Sequence, residues 1–183
     1  MDEIVLIDKY YAGAPALRDI LLKHSRKVAD RCLRIASAHP EFGLDTAFLE
    51  EAAMLHDIGI IRTDAPGILC FGEFPYICHG YLGAEMLREE GFPRHARVCE
   101  RHTGTGLSCR EVVENGLAIP ARDYFPETLE EQVICYADKF YSKSHPDVEK
   151  SPEQALKSVG RFGEECACRF RRWMEIFEEN IGR

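Results

Sequence analysis

Three polar residues interrupt helix faces that are otherwise apolar: His24, His56 and Asp138. His24 follows Leu17 and Leu21, His56 follows Leu49 and Ala53, and Asp138 lies between Ile134 and Tyr141, at the three- and four-residue steps of a helical stripe. An imidazole or carboxylate turned into a core is costly without a partner. Each alone reads as a core histidine or a helix-end carboxylate satisfied by its neighbours. Three on separate helices, one of them in the pair His56-Asp57, point to a shared partner. A divalent metal ion is such a partner, because neutral imidazole and ionised carboxylate are its normal ligands. Side chains converging from several helices of a bundle are a known way to build the site. Neighbouring residues on a helix point about 100° apart, so His56 and Asp57 reach one ion only near a helix end, where Gly59 places it.

The elements that must position these residues are helical. Pro15 to about Ala38 repeats Leu17, Leu21, His24, Val28, Cys32 and Ile35 on one face and stops at His39-Pro40. Asp45 is an N-cap for a second helix through Leu49, Ala53 and His56. His79 to Glu90 forms a third, closed by Gly91, and Pro93 starts a short fourth that carries His102 and breaks at Thr103-Gly-Thr-Gly106. Thr128 to Ser144 resumes the spacing, and Ser151-Pro152 opens a long final helix with Leu156, Val159, Phe162, Phe170, Trp173 and Phe177. Residues 62–77 and 103–127 are long connections, of the length that covers a site. No strand alternation, repeat or low-complexity tract is legible. The fold class expected is all-α, a bundle of about six helices in a single domain over 1–183, with residues 146–183 as a helical extension on a core of about 20–145.

The 183 residues carry 23 Lys plus Arg against 31 Asp plus Glu, a net charge of -8, which argues against duplex nucleic acid and anionic membrane as partners. A small anionic substrate then needs a local reversal of sign. The N-terminus lacks a basic stretch before an apolar run, and no window approaches the roughly 20 apolar residues of a membrane span. The eight cysteines are scattered without a CxxC pair, so they read as reduced thiols of a cytoplasmic protein, with Cys32, Cys99 and Cys135 as small core residues.

His24, then His56-Asp57-Ile58-Gly59, then Asp138 in Tyr-Ala-Asp-Lys resembles the HD-domain metal-dependent phosphohydrolases. The resemblance implies the helical fold of that superfamily and metal ligation by His24, His56, Asp57 and Asp138. His79 and His102 add to the order and make it similar to the subset that holds two metals, with Asp57 bridging and catalysis depending on it. Cys78-His79-Gly80 and Arg101-His102-Thr103-Gly104 look similar to the symmetrical dinucleoside tetraphosphatases of that subset. Taken without the resemblance, His79 and His102 read equally as helix-cap histidines. His39, His95 and His145, beside or near prolines, read as surface residues.

Two divalent ions against two carboxylates and a hydroxide leave the pocket net positive, whereas one ion leaves it neutral. Ions roughly 3.5 to 4 Å apart can hold attacking and substrate oxygens together and make hydroxide available at neutral pH. Hydrolysis of a phosphoester or phosphoanhydride follows, with a nucleotide or another small phosphorylated metabolite as substrate. Many members of the family have a lysine directly after Ile-Gly, where this chain has Ile60. Arg62 can substitute, Lys143 can pair with phosphate from the pocket rim, and Thr103 can donate a hydroxyl; for Lys139 and Lys143 the alternative is a surface position. The Gly-Tyr-Pro signature of the cyclic dinucleotide enzymes is absent. A di-iron oxygenase of the same superfamily, a metal-binding regulatory module without turnover and a purely structural helical protein are the competing readings. Histidine and carboxylate ligands suit Fe, Mn, Ni, Co and Zn alike.

Overall fold

The computed structural model describes residues 2–145 and 147–179. Among them are nine α-helices: α1 (Glu3–Tyr11), α2 (Pro15–Ala38), α3 (Thr46–Leu55), α4 (His79–Glu89), α5 (Pro93–Arg101), α6 (Cys109–Glu114), α7 (Leu129–Asp138), α8 (Pro152–Val159) and α9 (Glu164–Phe177). The class is all-α, as expected, but the number exceeds the six read from periodicity. Three differences account for it. Residues 3–11 form a helix capped by Asp2, which accepts from the Val5 N–H. The connection 103–127 contains α6, started by a Ser108/Glu111 capping box. The final helix is broken after Val159 by a 3-10 turn at Gly160–Phe162, and Gly163, with φ +116°, starts α9 in a conformation that side chains rarely adopt.

The connection 62–77 is also structured. Thr63–Ala65 (β1) pairs antiparallel with Cys70–Phe71 (β2) and parallel with Phe74–Pro75 (β3). Strands of two or three residues carry no readable alternation. Gly72 lets the turn close, since a Cβ there would lie 2.2 Å from the Arg62 carbonyl carbon.

The long α2 lies against α3 and α7, while α4 packs on α5 and on the 3-10 turn Ile58–Arg62. One core joins Val28, Cys32 and Ile35 of α2 to Leu49 and Ala53 of α3, Val133 and Tyr136 of α7, and Phe170, Trp173 and Phe177 of α9. The second core gathers Tyr11, Leu21, Leu55, Ile58, Ile60 and Leu87. Of the metal-type residues, His24 lies within α2 and the others lie at helix ends.

Two histidines assigned to the surface are buried. His39 is stacked on Phe42 at 4.6 Å and paired with Glu41, and His95 pairs with Glu51 at 3.2 Å against the Phe48 ring. His145 is exposed. All eight cysteines are free thiols, with Cys32, Cys99 and Cys135 fully buried. No helix among the described residues is long and apolar enough to cross a membrane.

Candidate functional site

Each polar residue arrives by a local rule. His24 projects from the middle of α2, on the stripe between Leu21 and Val28. The helix α3 stops at Leu55; His56 is its C-cap, and the Asp57 backbone (φ -108°, ψ 11°) leaves the helical track. That departure turns two adjacent side chains to the same place. Gly59 serves a further purpose, because a Cβ there would lie 2.2 Å from the His79 carbonyl oxygen and 2.4 Å from the Gly83 nitrogen. Only glycine lets the turn after the His-Asp pair approach α4 closely enough to bring His79 beside Asp57. His102 is the C-cap of α5, and Asp138 is the last residue of α7.

The six residues form two groups sharing one carboxylate. Asp57 Oδ2 lies 3.2 Å from His24 Nε2 and 3.0 Å from His56 Nε2, and Asp138 Oδ1 is 3.0 and 3.4 Å from the same two nitrogens. Asp57 Oδ1 lies 3.5 Å from His79 Nε2 and 3.3 Å from His102 Nε2. These are the two ligand sets, His24-His56-Asp57-Asp138 and Asp57-His79-His102, that the structure offers to metal ions. Every member is at least nine-tenths buried.

Hydrogen bonding shows what the cluster lacks. The Nδ1–H groups of His56, His79 and His102 donate to the carbonyls of Ala53, Tyr76 and Cys99, each three residues back, at 2.6, 2.7 and 2.6 Å. Such bonds orient the ring and aim Nε2 into the cluster. His56 Nε2 and both Asp57 oxygens approach other atoms closely, yet meet no hydrogen-bond geometry. The Nε2 atoms of His79 and His102 are 3.0 Å apart. Burial, reinforced by the mutual repulsion of the pair, pushes His79 down to about 3, and burial lowers His102 too, so both rings are neutral near pH 7. With Nδ1 donating, both Nε2 atoms present lone pairs to one another. A cation between them removes that repulsion, and the orphaned atoms fit metal ligation.

Two lysines balance the carboxylates. Lys143 Nζ lies 2.5 Å from Asp57 Oδ2, and Lys139 Nζ lies 2.6 Å from Asp138 Oδ2 while also donating to the His102 carbonyl. Burial works against the charge on Asp57 and Asp138, but Lys143 with His56 and Lys139 with His24 outweigh it and hold both carboxyls well below their ordinary range. Burial likewise opposes the proton on His56, and the two carboxylates overcome it, raising the imidazole to about 9.

A cavity of about 520 Å³ opens over the cluster. His79, His102, Asp138, Lys139 and Lys143 face it, as does Thr103. Arg62 does not: it is exposed and lies over the Phe74 ring at 5.5 Å. Ile60, where many of the family have lysine, is fully buried in the second core, so that position does not address the cavity here. The sequence leaves Tyr76, with Phe71, Phe74, Tyr124 and Phe125 of the long connections, either to stack a base or to pack; it stacks on His79 at 4.7 Å and lines the cavity. The sequence reading missed Lys150. Lys150 lines the cavity and donates to the Lys139 carbonyl at 3.2 Å, and no motif marks it.

The HD domain family matches residues 21–142, which span all six cluster residues. The chain is 34% identical over 125 residues to a tRNA (cytidine(56)-2'-O)-methyltransferase of Picrophilus torridus, covering 68% of this chain and 32% of that protein. It is 36% identical over 124 residues to an uncharacterized protein of Methanocaldococcus jannaschii, covering 62% of this chain and 66% of that protein. A Thermoplasma volcanium protein of the same methyltransferase name is 34% identical, with 75% of this chain and 35% of that protein covered. The chain thus spans from about a third to two thirds of the length of these relatives. Among solved structures, the HD domain of the L. monocytogenes phosphodiesterase PgpH shares the fold at a TM-score of 0.54 and 17% identity, with 91% of this chain and 93% of that chain covered. The chain belongs to the HD-domain family.

Proposed function

We propose that this protein is a metal-dependent phosphohydrolase that holds two divalent ions on one shared carboxylate and cleaves a phosphoester or phosphoanhydride of a nucleotide or other small phosphorylated metabolite. The observation that carries the reading is the division of Asp57: one oxygen faces His24 and His56 and is ion-paired to Lys143, the other faces His79 and His102, and neither meets hydrogen-bond geometry. His24, His56 and Asp138 would complete one site, and His79 with His102 the other. A divalent pair supplies Lewis acidity toward phosphoryl oxygens and acidifies water.

The chain's own residues do the rest. The carbonyls of Ala53, Tyr76 and Cys99 accept from Nδ1 of the three imidazoles, so that neutral His79 and His102 each present a lone pair at Nε2, and His56 would do so once metal displaces its proton. Lys139, Lys143 and Lys150 bring three ammonium groups to a cavity in a chain of net charge -8. They are the local reversal of sign that a phosphate needs, and they favour phosphohydrolysis over the oxygenase chemistry of the same superfamily. Thr103, on the cavity wall, can donate to a phosphoryl oxygen. The methyltransferase names belong to proteins of which this chain matches about a third, and methyl transfer has no use for this ligand set.

The test is phosphate release from a panel of nucleotides and sugar phosphates by protein loaded with Mn, Fe, Co, Ni or Zn, with Asp57→Asn as the comparison. Release that depends on metal and falls at least a thousandfold in the folded variant supports the reading. Asp57→Asn turning over like the parent refutes it.

A further inference from the structure

The cavity is lined by two unlike sets of side chains. One is the cluster and its lysines; the other includes the apolar Ile68, Val159 and Phe162. Val159 and Phe162 come from the end of α8 and the turn after it, and the HD match ends at residue 142. Lys143, Lys150, Ser158, Val159 and Phe162 therefore follow the residues that the HD family model matches.

Phe162 is 70% exposed although it lines a cavity. It sits on a three-residue turn between Val159 and the left-handed Gly163, which separates it from both helices and keeps its ring out of the core. Of the other two aromatics that line the cavity, Tyr76 already has a face on His79, and Tyr141 is buried with its hydroxyl accepting from Arg34. Phe162 is then the ring left to meet a flat ligand. A sugar phosphate alone offers an aromatic ring only its small C–H face, while a purine or pyrimidine carrying phosphate matches both sets, since every base has a broad face that stacks. Cavities of this size hold one small molecule. Lys150, anchored by a single donation to the Lys139 carbonyl, has ammonium protons left for phosphate.

Resting on the phosphohydrolase reading, we infer that the segment after the HD match makes this cavity selective for a single nucleotide, with its base against Phe162 and its phosphate between Lys150 and the cluster. Phe162 is thereby a specificity residue and Lys150 a phosphate-binding one.

The experiment measures equilibrium binding to the metal-loaded chain by calorimetry, with inorganic phosphate, ribose 5-phosphate and the four nucleoside 5'-monophosphates as probes. At least one nucleotide should bind about tenfold tighter than ribose 5-phosphate, and Phe162→Ala should reduce that preference to within about twofold while Phe162→Trp keeps it. Lys150→Ala should weaken ribose 5-phosphate and inorganic phosphate together and leave the nucleotide preference intact. An unchanged preference in Phe162→Ala, or none in the parent, overturns the inference while phosphate binding leaves the hydrolase reading standing. Failure of every phosphate probe to bind overturns both.

Discussion

Replacing Lys143 by methionine should destabilise the metal-free protein severely and the metal-loaded protein hardly at all. The ammonium is 2.5 Å from Asp57 Oδ2, and the two side chains are 12% and 0% exposed. Removing one member of a buried ion pair leaves the other without compensation, at a cost of about 3–5 kcal/mol. In a domain of this size each kcal/mol shifts Tm by roughly 2–4 °C, so the metal-free Tm should fall by about 6–20 °C. When cations occupy both oxygens of Asp57 the carboxylate no longer needs the lysine. The loss then shrinks to that of a solvent-screened charge, about 1 kcal/mol or less. Because the cycle must close, the variant binds metal more tightly, by on the order of a hundredfold if the two losses differ by about 3 kcal/mol. Calorimetric melting at pH 8 in chelator and in saturating Mn, with a metal titration of both proteins, reads all three quantities. An equal drop in Tm in both states, or weaker metal binding by the variant, would refute the reasoning.

Three further outcomes follow from the same geometry. His79 is held neutral down to about pH 3, below the ordinary imidazole value, so the unfolded chain binds the extra proton below about pH 6.5. Metal-free stability should therefore decline with acidification from there toward pH 3, by up to ~1.4 kcal/mol per pH unit from this residue, and His79→Gln should flatten the decline in urea titrations. His56 has the opposite sign: raised to about 9, its contribution is complete below about pH 6.5 and is lost as pH rises through 9. Metal must displace that proton, so metal affinity should rise from pH 6 to 8, which an indicator competition measures. Gly59→Ala forces a methyl to within 2.2 Å of the His79 carbonyl; it should cost at least about 1–3 kcal/mol in denaturant unfolding and weaken the ion held by His79 and His102 more than the other.

His24, His56 and Asp138 were legible because each is a polar interruption of an apolar stripe, and burial is what makes such an interruption informative. His79 and His102 carried no such mark; their spacing within a familiar order did. The main helices announced themselves through Pro15, Asp45, Gly91, Pro93 and Thr128, residues whose backbone preferences start or stop a helix. What escaped was structure with no period. The small sheet at 63–75 is too short to alternate, and Phe162 fits the stripe of Leu156 and Val159 although the chain has already left the helix and put that ring in water. Lys143 was placed on the rim by counting along a helix that in fact ends at Asp138; the turn that follows carries it down onto Asp57. His39 and His95 escaped because their partners, Phe42 with Glu41 and Glu51 with Phe48, are set by packing.

Anomalous diffraction from crystals grown with manganese tests the shared carboxylate most directly. The account predicts two peaks on either side of Asp57, roughly 3.5–4 Å apart, one among His24, His56 and Asp138 and the other beside His79 and His102. Full-strength scattering elsewhere with none at Asp57, or a single peak that leaves His79 and His102 unligated, would contradict it.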